Sequence, residues 1–599
     1  MCGIIGQYNL DGRPIDPEAF DRRRDTLRHR GPDGARTQVL GVGRELALGH
    51  RRLSILDLSE AGAQPMSNED GTVWLTFNGE IYNFRPLREE LVRAGHRFGS
   101  HTDSEVLVHG YEEWGLEGLL ARCKGMFAFG LWDANRRRLF LVRDRFGIKP
   151  LVYYRGERQF CFASELKALM ADRSIPRRMR SGALADYFLY SYVPSPSTVW
   201  ENVHRLPPAH YLTFDPDNGR SELRRYWELR TDDRQLDPVT VADEFTARFD
   251  RAVTEHLTSD VPVGVFLSGG YDSASVLLSA QAAGGSRLSS FSLGFRGSER
   301  SEHAAAATIA ERLGADHHER LLDFDTDVFP LLQRLATHYD EPFAVSSQLT
   351  YHSVSELAAE THKVVLAGDG GDELLAGYTW YRELPARRRG WRQYASALLG
   401  RTSLREQTAR AYARRMTGVY FYLRKHPHLL PPALRRTMED RAFDHFAHHL
   451  GRTDSAVKNL QELDRHTFLL DNCLQRADLS SMLHSLEVRV PFLDHELFEF
   501  VYGLDTGCYF DPQKTKPLLR RLLADHLPPE ILDRKKQGFG FQHRETLCQP
   551  RYAGFLNDGE LRARGILTGP VDLTTVNGEI AYHLLFLEQW FRHHQPLAA

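Results

Sequence analysis

An α+β domain built on layered antiparallel sheets, followed by an α/β domain built on a parallel sheet, is what this sequence predicts. Three observations predict it. The chain has 599 residues, too many for one hydrophobic core. Its first two hundred residues read as short β-rich runs broken by Gly, Asp and Asn, with helical stretches between them. Its second half alternates apolar strand-like runs with helical patterns, and Gly-rich loops follow two of those runs.

The N-terminal strands are Thr72–Phe77, Arg138–Val142 and Gln159–Ala163, and the helical stretches are Phe84–Arg93 and Asp103–Trp114. The boundary falls near residues 210–235, where RLPPAHYL is followed by DPDN and by the polar run Arg230–Gln235. Units of 2–215 and 235–599 result. In the second unit Val261–Leu267 is a buried strand, Ser268–Asp272 a turn, Ser273–Ala283 a helix and Leu288–Phe295 a strand. Ser301–Leu313 is an Ala-rich helix with Ser301 as N-cap and Gly314 just past its end. Lys363–Ala367 is another buried strand. In such sheets ligands bind beyond the carboxyl ends of strands, where both Gly-rich loops lie. Residues 380–465 are helical and Arg-rich, as at Arg387–Arg389 and Arg414–Arg415, and read as solvated faces. His445 and His449 have i, i+4 spacing but no HExxH context, so a solvated helix is expected there, not zinc. His317–His318 reads as a strand edge.

Composition limits function. Hydrophobic residues are 42% and charged residues 26%, a globular balance. Lys+Arg is 76 against Asp+Glu 79, which weighs against a dedicated nucleic-acid binder or a polybasic membrane anchor. No apolar run is long enough to span a bilayer, and MCGIIGQYNLDGR has no secretory pattern, so a cytoplasmic protein is expected. Six cysteines without a CxxC pair suggest neither a disulfide framework nor a zinc ribbon. Only ten of the basic residues are Lys, a bias that reads first as genome base composition.

Cys2 is the first candidate for chemistry. If Met1 is removed, its thiol sits beside a free α-amine. That amine titrates near 7.7–8.0 and the thiol near about 8.5, so base and nucleophile are matched around neutral pH. Arg30–Asp33 (RGPD), His50–Ile55 (HRRLSI), Asn78–Asn83 (NGEIYN) and Thr102–Glu105 (TDSE) follow. With these segments the sequence resembles the glutamine-dependent amidotransferases of the N-terminal-nucleophile class, in their asparagine synthetase branch. The resemblance implies that the Asn78 amide and the Gly79 N–H stabilise an oxyanion. It puts Arg52 on the glutamine carboxylate, with Arg51 as the neighbouring alternative, and Glu80 and Asp103 near the ammonium.

The second candidate is Ser268–Ser273 (SGGYDS), a Gly-rich loop between strand and helix that suits a phosphate. It is not GxxxxGK[ST]. Leu366–Tyr378 (LAGDGGDELLAGY) adds carboxylates that repel unless a cation intervenes. The resemblance reads the first loop as a pyrophosphate loop of an adenine-nucleotide α-hydrolase-like domain. It implies that ATP is bound by Leu267, Ser268, Gly269, Gly270, Asp272, Ser273, Leu293 (on SFSLGF), Gly368 and Lys536 (on KKQGFG). Mg²⁺ is then held by Asp272 and Asp372, and Asp369 handles incoming ammonia. Arg489, in EVRVPFLD, is read as structural or functional with equal weight. Departures from the family pattern are Tyr271 for an aliphatic residue, Ala367 for Ser and Val345 for Asp. The implied reaction amidates aspartate to asparagine with nitrogen from glutamine. The departures keep a different carboxylate open as acceptor. A homodimer is expected by resemblance only.

Overall fold

The computed structural model describes residues 2–284, 287–296, 302–323, 328–386, 404–449, 453, 455–534 and 546–595. Ser301, Arg387–Arg389 and Lys536, with the KKQGFG segment that carries it, lie outside the described residues.

The N-terminal half is two six-stranded antiparallel sheets. One runs in the order Val203–Arg205, Val152–Arg155, Gln159–Ala163, Gly3–Asn9, Leu46–Arg52, Gly34–Leu40. The other runs Arg220–Arg225, His210–Asp215, Arg138–Arg143, Gly125–Asp133, Val73–Ile81, Met66–Ser67. This second sheet therefore continues past residue 215 to Arg225. Alternation along the strands sends Ile4, Leu46 and Leu48 from one sheet against Ala128, Trp132 and Leu141 from the other. The Phe162 ring fills the space between them: a Cβ on Gly6 or Gly130 would come within 2.1 or 2.3 Å of it. Helices Phe84–Ala94 and Glu105–Arg122 cover the outer face of the second sheet through Leu87, Leu91, Val106 and Leu107. Helix Pro17–Asp25 covers the other sheet through Phe20. The result is a four-layer α/β/β/α stack, which bears out the layered antiparallel sheets with helices that the sequence predicts.

The C-terminal half carries a five-stranded, all-parallel sheet in the order Asp316–Leu322, Ser289–Phe295, Val263–Phe266, Val364–Leu366, Glu487–Arg489. Its central strands are buried on both faces, as parallel strands under crossover helices are. Helices Pro238–His256 and Tyr271–Gly284 pack on it through Phe245, Phe249, Val276 and Leu277. Gly314 ends helix His303–Leu313 at φ 72°, the left-handed cap expected of it. The helix begins after Glu302, not Ser301. His317 and His318 sit on the edge strand.

Two sequence readings meet the structure differently in the helical region. Arg414 and Arg415 are exposed, as a solvated face requires. His445 is not solvated: it is buried against Tyr190 and Phe446, and His449 stacks on His466 at 4.7 Å. Aromatic packing, not solvent, explains that i, i+4 pair.

Candidate functional site

The first site lies where the strands Gly3–Asn9 and Val73–Ile81 approach each other from the two sheets. Cys2 is 9% exposed, and its thiol pKa is raised by that burial. The Cys2 nitrogen donates to Asn78 Oδ1 at 2.8 Å, and the Cys2 carbonyl accepts from Arg30 Nε at 3.1 Å. Asn78 is fully buried, and its Nδ2 has no hydrogen-bond partner among the described residues. A buried amide donor left unmade costs about 1–3 kcal/mol, so this one waits for an acceptor. Gly79 pairs with Phe127, and a Cβ there would stand 2.1 Å from the Met126 carbonyl oxygen. Only glycine fits.

The two candidate arginines separate cleanly. Arg51 is buried and donates to the Gly31 carbonyl at 3.0 Å, bracing the N-terminal helix. Arg52 reaches the other way, to the carbonyls of Ser59 and Asp57, and acts electrostatically on Cys2. Asp103 Oδ2 accepts from the Ile81 N–H at 2.7 Å. Burial pushes its carboxyl up to about 6, against the Ile81 hydrogen bond and with the help of Glu487. Glu80 is buried and meets Arg489 at 3.3 Å. Arg489, itself fully buried, belongs to the edge strand of the parallel sheet and also holds Glu487 at 2.6 Å. The first site is thus completed by the second half of the chain, which sequence reasoning did not foresee.

The second site lies at the carboxyl ends of strands Val263–Phe266 and Val364–Leu366. Ser268 N–H donates to Ser273 Oγ at 3.1 Å, folding the loop back on the first turn of its helix. Leu267 and Leu293 are buried beside it. Gly368 and Gly371 let the acidic loop touch this one: a Cβ on either would stand 2.8 or 2.6 Å from Asp272 atoms. Tyr271 points away, donating to the Leu532 carbonyl and accepting from Arg520 at 2.7 Å. Asp369 is held by Arg476 at 3.0 Å and by the Tyr351 hydroxyl at 3.1 Å, and Arg476 also reaches Ser347 Oγ at 2.8 Å.

Asp272 and Asp372 converge on a cation that the sequence reading passed over. Lys516 Nζ lies 2.5 Å from Asp272 and 2.6 Å from Asp372, and the residue is 3% exposed. Glu373 stands beside them, pushed up to about 8 by burial and by Asp372. Two carboxylates therefore share one ammonium, a donor set of hard oxygens that suits Mg²⁺ bound by one or two carboxylates. The missed signal was lysine itself. In a chain this rich in Arg, Lys124, Lys149, Lys458 and Lys516 are buried, where lysine is almost never found unpaired.

The two sites share helix Gln475–Met482. At its middle Asp478 takes both guanidinium nitrogens of Arg30 at 2.7 and 3.0 Å, and Arg30 touches Cys2. At its start Arg476 holds Asp369. Beside it a cavity of about 70 Å³ opens between the two halves, lined among others by Arg143, Glu165, Asp340, Leu470, Leu474 and Asp478.

Comparison with known proteins follows this division. Residues 1–227 match the glutamine amidotransferase domain family, and residues 244–590 match the asparagine synthase family. Asparagine synthetase [glutamine-hydrolyzing] 1 of Bacillus subtilis is 32% identical over 573 residues, covering 91% of this chain and 88% of that protein. The protein named asparagine synthetase [glutamine-hydrolyzing] 3 of the same organism is 30% identical, covering 91% and 87%. A protein named amidase chry2 from Gibberella zeae is 28% identical, covering 90% and 88%. The chain belongs to the glutamine-hydrolysing asparagine synthetase family.

Proposed function

We propose that the protein transfers the amide nitrogen of glutamine to a carboxylate at the expense of ATP, and that the acceptor is aspartate. One observation carries the reading. Asn78 holds the nitrogen of Cys2 with its oxygen while its own amide N–H group is buried and unused. With Met1 removed, that nitrogen is the amine that takes the thiol proton, and Asn78 fixes its position. Cys2 Sγ attacks the glutamine amide. The oxyanion is received by Asn78 Nδ2 with the Gly79 N–H, ammonia leaves, and water cleaves the thioester to glutamate. Arg52 pairs with the substrate carboxylate, and Asp103 and Glu80, the latter held by Arg489, lie near its ammonium.

Ammonia in water at neutral pH is mostly protonated and no nucleophile, so the cavity between the halves is its route. In the second site Ser268, Gly269, Gly270 and Ser273 cradle the pyrophosphate of ATP, and Leu267, Leu293 and Gly368 shape the nucleotide pocket. Mg²⁺ held by Asp272 and Asp372 would supply positive charge against the departing pyrophosphate. Lys516, between those carboxylates, and Lys536 add to it. The acceptor carboxylate is activated as an acyl-adenylate. Asp369, oriented by Arg476 and Tyr351, receives a proton from the attacking ammonia, and AMP leaves.

A second reading keeps this chemistry and changes the acceptor. Val345 is buried where the family pattern has Asp, two residues from the Ser347 that Arg476 holds. Incubation with ATP, glutamine and aspartate decides. The first reading gives asparagine and AMP in equal amounts. AMP formed only with other carboxylic acids gives the second.

A further inference from the structure

Three clusters of histidine and carboxylate outside the two sites bring three ligand atoms within 4.8 Å of one another: His29–Glu165–His338, His96–His109–Glu112 and His352–Glu356–His484. Charge separates them. Glu165 already carries Arg30 and Lys167, at 2.7 and 3.0 Å. Glu356 is paired with Arg320 at 2.9 Å. The middle cluster is different. Glu105, Glu112 and Glu113 surround its two imidazoles, and among the described residues no Lys or Arg is ion-paired with any of them.

Its geometry is also built. Helix Phe84–Ala94 ends at Gly95 with φ 108°, and the turn sends His96 across to helix Glu105–Arg122. His109 and Glu112 are three residues apart on that helix and share a face. Glu112 Oε2 lies 3.1 Å from His109 Nδ1 and 4.0 Å from His96 Nδ1. The opposite ring nitrogens each face another carboxylate: His96 Nε2 meets Glu113 at 3.2 Å, and His109 Nε2 meets Glu105 at 3.7 Å. Glu113 takes the ring proton of His96 at Nε2, which leaves its Nδ1 lone pair for a metal, whereas His109 Nδ1 is bonded to Glu112 and releases its proton when the ion binds, with Glu105 facing the opposite nitrogen. The second oxygen of Glu112 is held by Asn68 Nδ2 at 2.7 Å.

We propose that His96 Nδ1, His109 Nδ1 and Glu112 Oε2 bind one divalent transition-metal ion of the zinc class, with water completing its coordination. Two imidazoles and one carboxylate suit zinc and disfavour Mg²⁺ or Ca²⁺. Metal bonds of about 2.0–2.1 Å place tetrahedral ligand atoms roughly 3.3 Å apart, so one pair already fits and His96 closes in by a small rotation. The ion has a structural consequence. Glu105, which orients His109, also holds the Gly99 and Ser100 amides at 2.7 and 2.8 Å, at the base of the loop that presents Asp103. Occupancy stiffens that loop.

The test uses the full-length protein stripped with a chelator and titrated with Zn²⁺ by calorimetry, with Co²⁺ absorption as the spectroscopic readout. One equivalent of Zn²⁺ is expected in the wild type, and Co²⁺ should give the visible bands of nitrogen ligation. His96→Ala, which removes a partly exposed ligand, should lose both while keeping its circular dichroism spectrum. Glu113→Gln, which alters only the orienting carboxylate, should weaken binding by about 10–100-fold. Cys2→Ala should keep the equivalent, excluding the thiol as the ligand. No stoichiometric uptake by the wild type, tight uptake surviving in His96→Ala, or loss in Cys2→Ala would each overturn the proposal.

Discussion

The two centres are built on opposite plans. In the first, each polar group is locked to backbone or to a neighbour inside a sheet stack: Cys2 to Asn78, Asp103 to Ile81, Glu80 to Arg489. Asn78 Nδ2, without a hydrogen-bond partner among the described residues, is kept for substrate. In the second, the working acids stand on loops at strand ends and are restrained by internal cations, Lys516 for Asp272 and Asp372, Arg476 for Asp369. The difference teaches what each chemistry demands. An oxyanion pocket gains from donors that need not move. A site that must accept a highly charged nucleotide and then release pyrophosphate keeps its carboxylates compensated until the ligand arrives.

Breaking the second plan should have the larger consequences. Asp272→Ala should lower pyrophosphate release roughly 10³–10⁴-fold, about 4–5.5 kcal/mol, with glutamine or ammonia alike. A loss confined to glutamine would show that Asp272 serves the first site instead. Lys516→Met leaves two mostly buried carboxylates facing each other. Its synthetase half should lose about 3–5 kcal/mol of stability in Mg²⁺-free buffer, and added Mg²⁺ should recover part of it. Thermal denaturation with and without Mg²⁺ measures this, and a variant as stable as wild type refutes the restraint.

The first plan is probed more finely. Asn78→Ala should reduce glutamine hydrolysis about 10²–10³-fold and leave ammonia-driven synthesis intact. The smallest effect is in pH. The Asp103 carboxyl is pushed up to about 6, so it takes up a proton as pH falls through 6 and loses the charge that would hold an ammonium. The kcat/KM for glutamine should therefore acquire an extra slope of about one decade per pH unit below that point. In Asp103→Asn that break should disappear, and its persistence would assign the ionisation to another group.

How much of this the sequence discloses depends on distance along the chain. Local signals were readable. Gln159–Ala163 is a strand over its full predicted length, Gly314 caps its helix, and both Gly-rich loops stand at strand ends. The kink at Gly115 was not: the helix predicted to stop at Trp114 resumes and runs to Arg122. Residues joined only by the fold were harder. Arg489 reaching Glu80, Arg30 reaching Asp478 and Lys516 between two acids span hundreds of positions, and no spacing rule connects them. Solvation misled at His445, where helical spacing gave no hint of the aromatic pocket around it. Burial of a few lysines in an Arg-rich chain is a cue that composition offered and that only packing could interpret.

The central claim is that Cys2 liberates nitrogen for a second, separate centre, and one substitution tests it most directly. Cys2→Ala should abolish product formation from glutamine and preserve it from ammonium chloride at high pH, at the wild-type rate. A variant that still uses glutamine, or one that loses both nitrogen sources while remaining folded, would contradict the account.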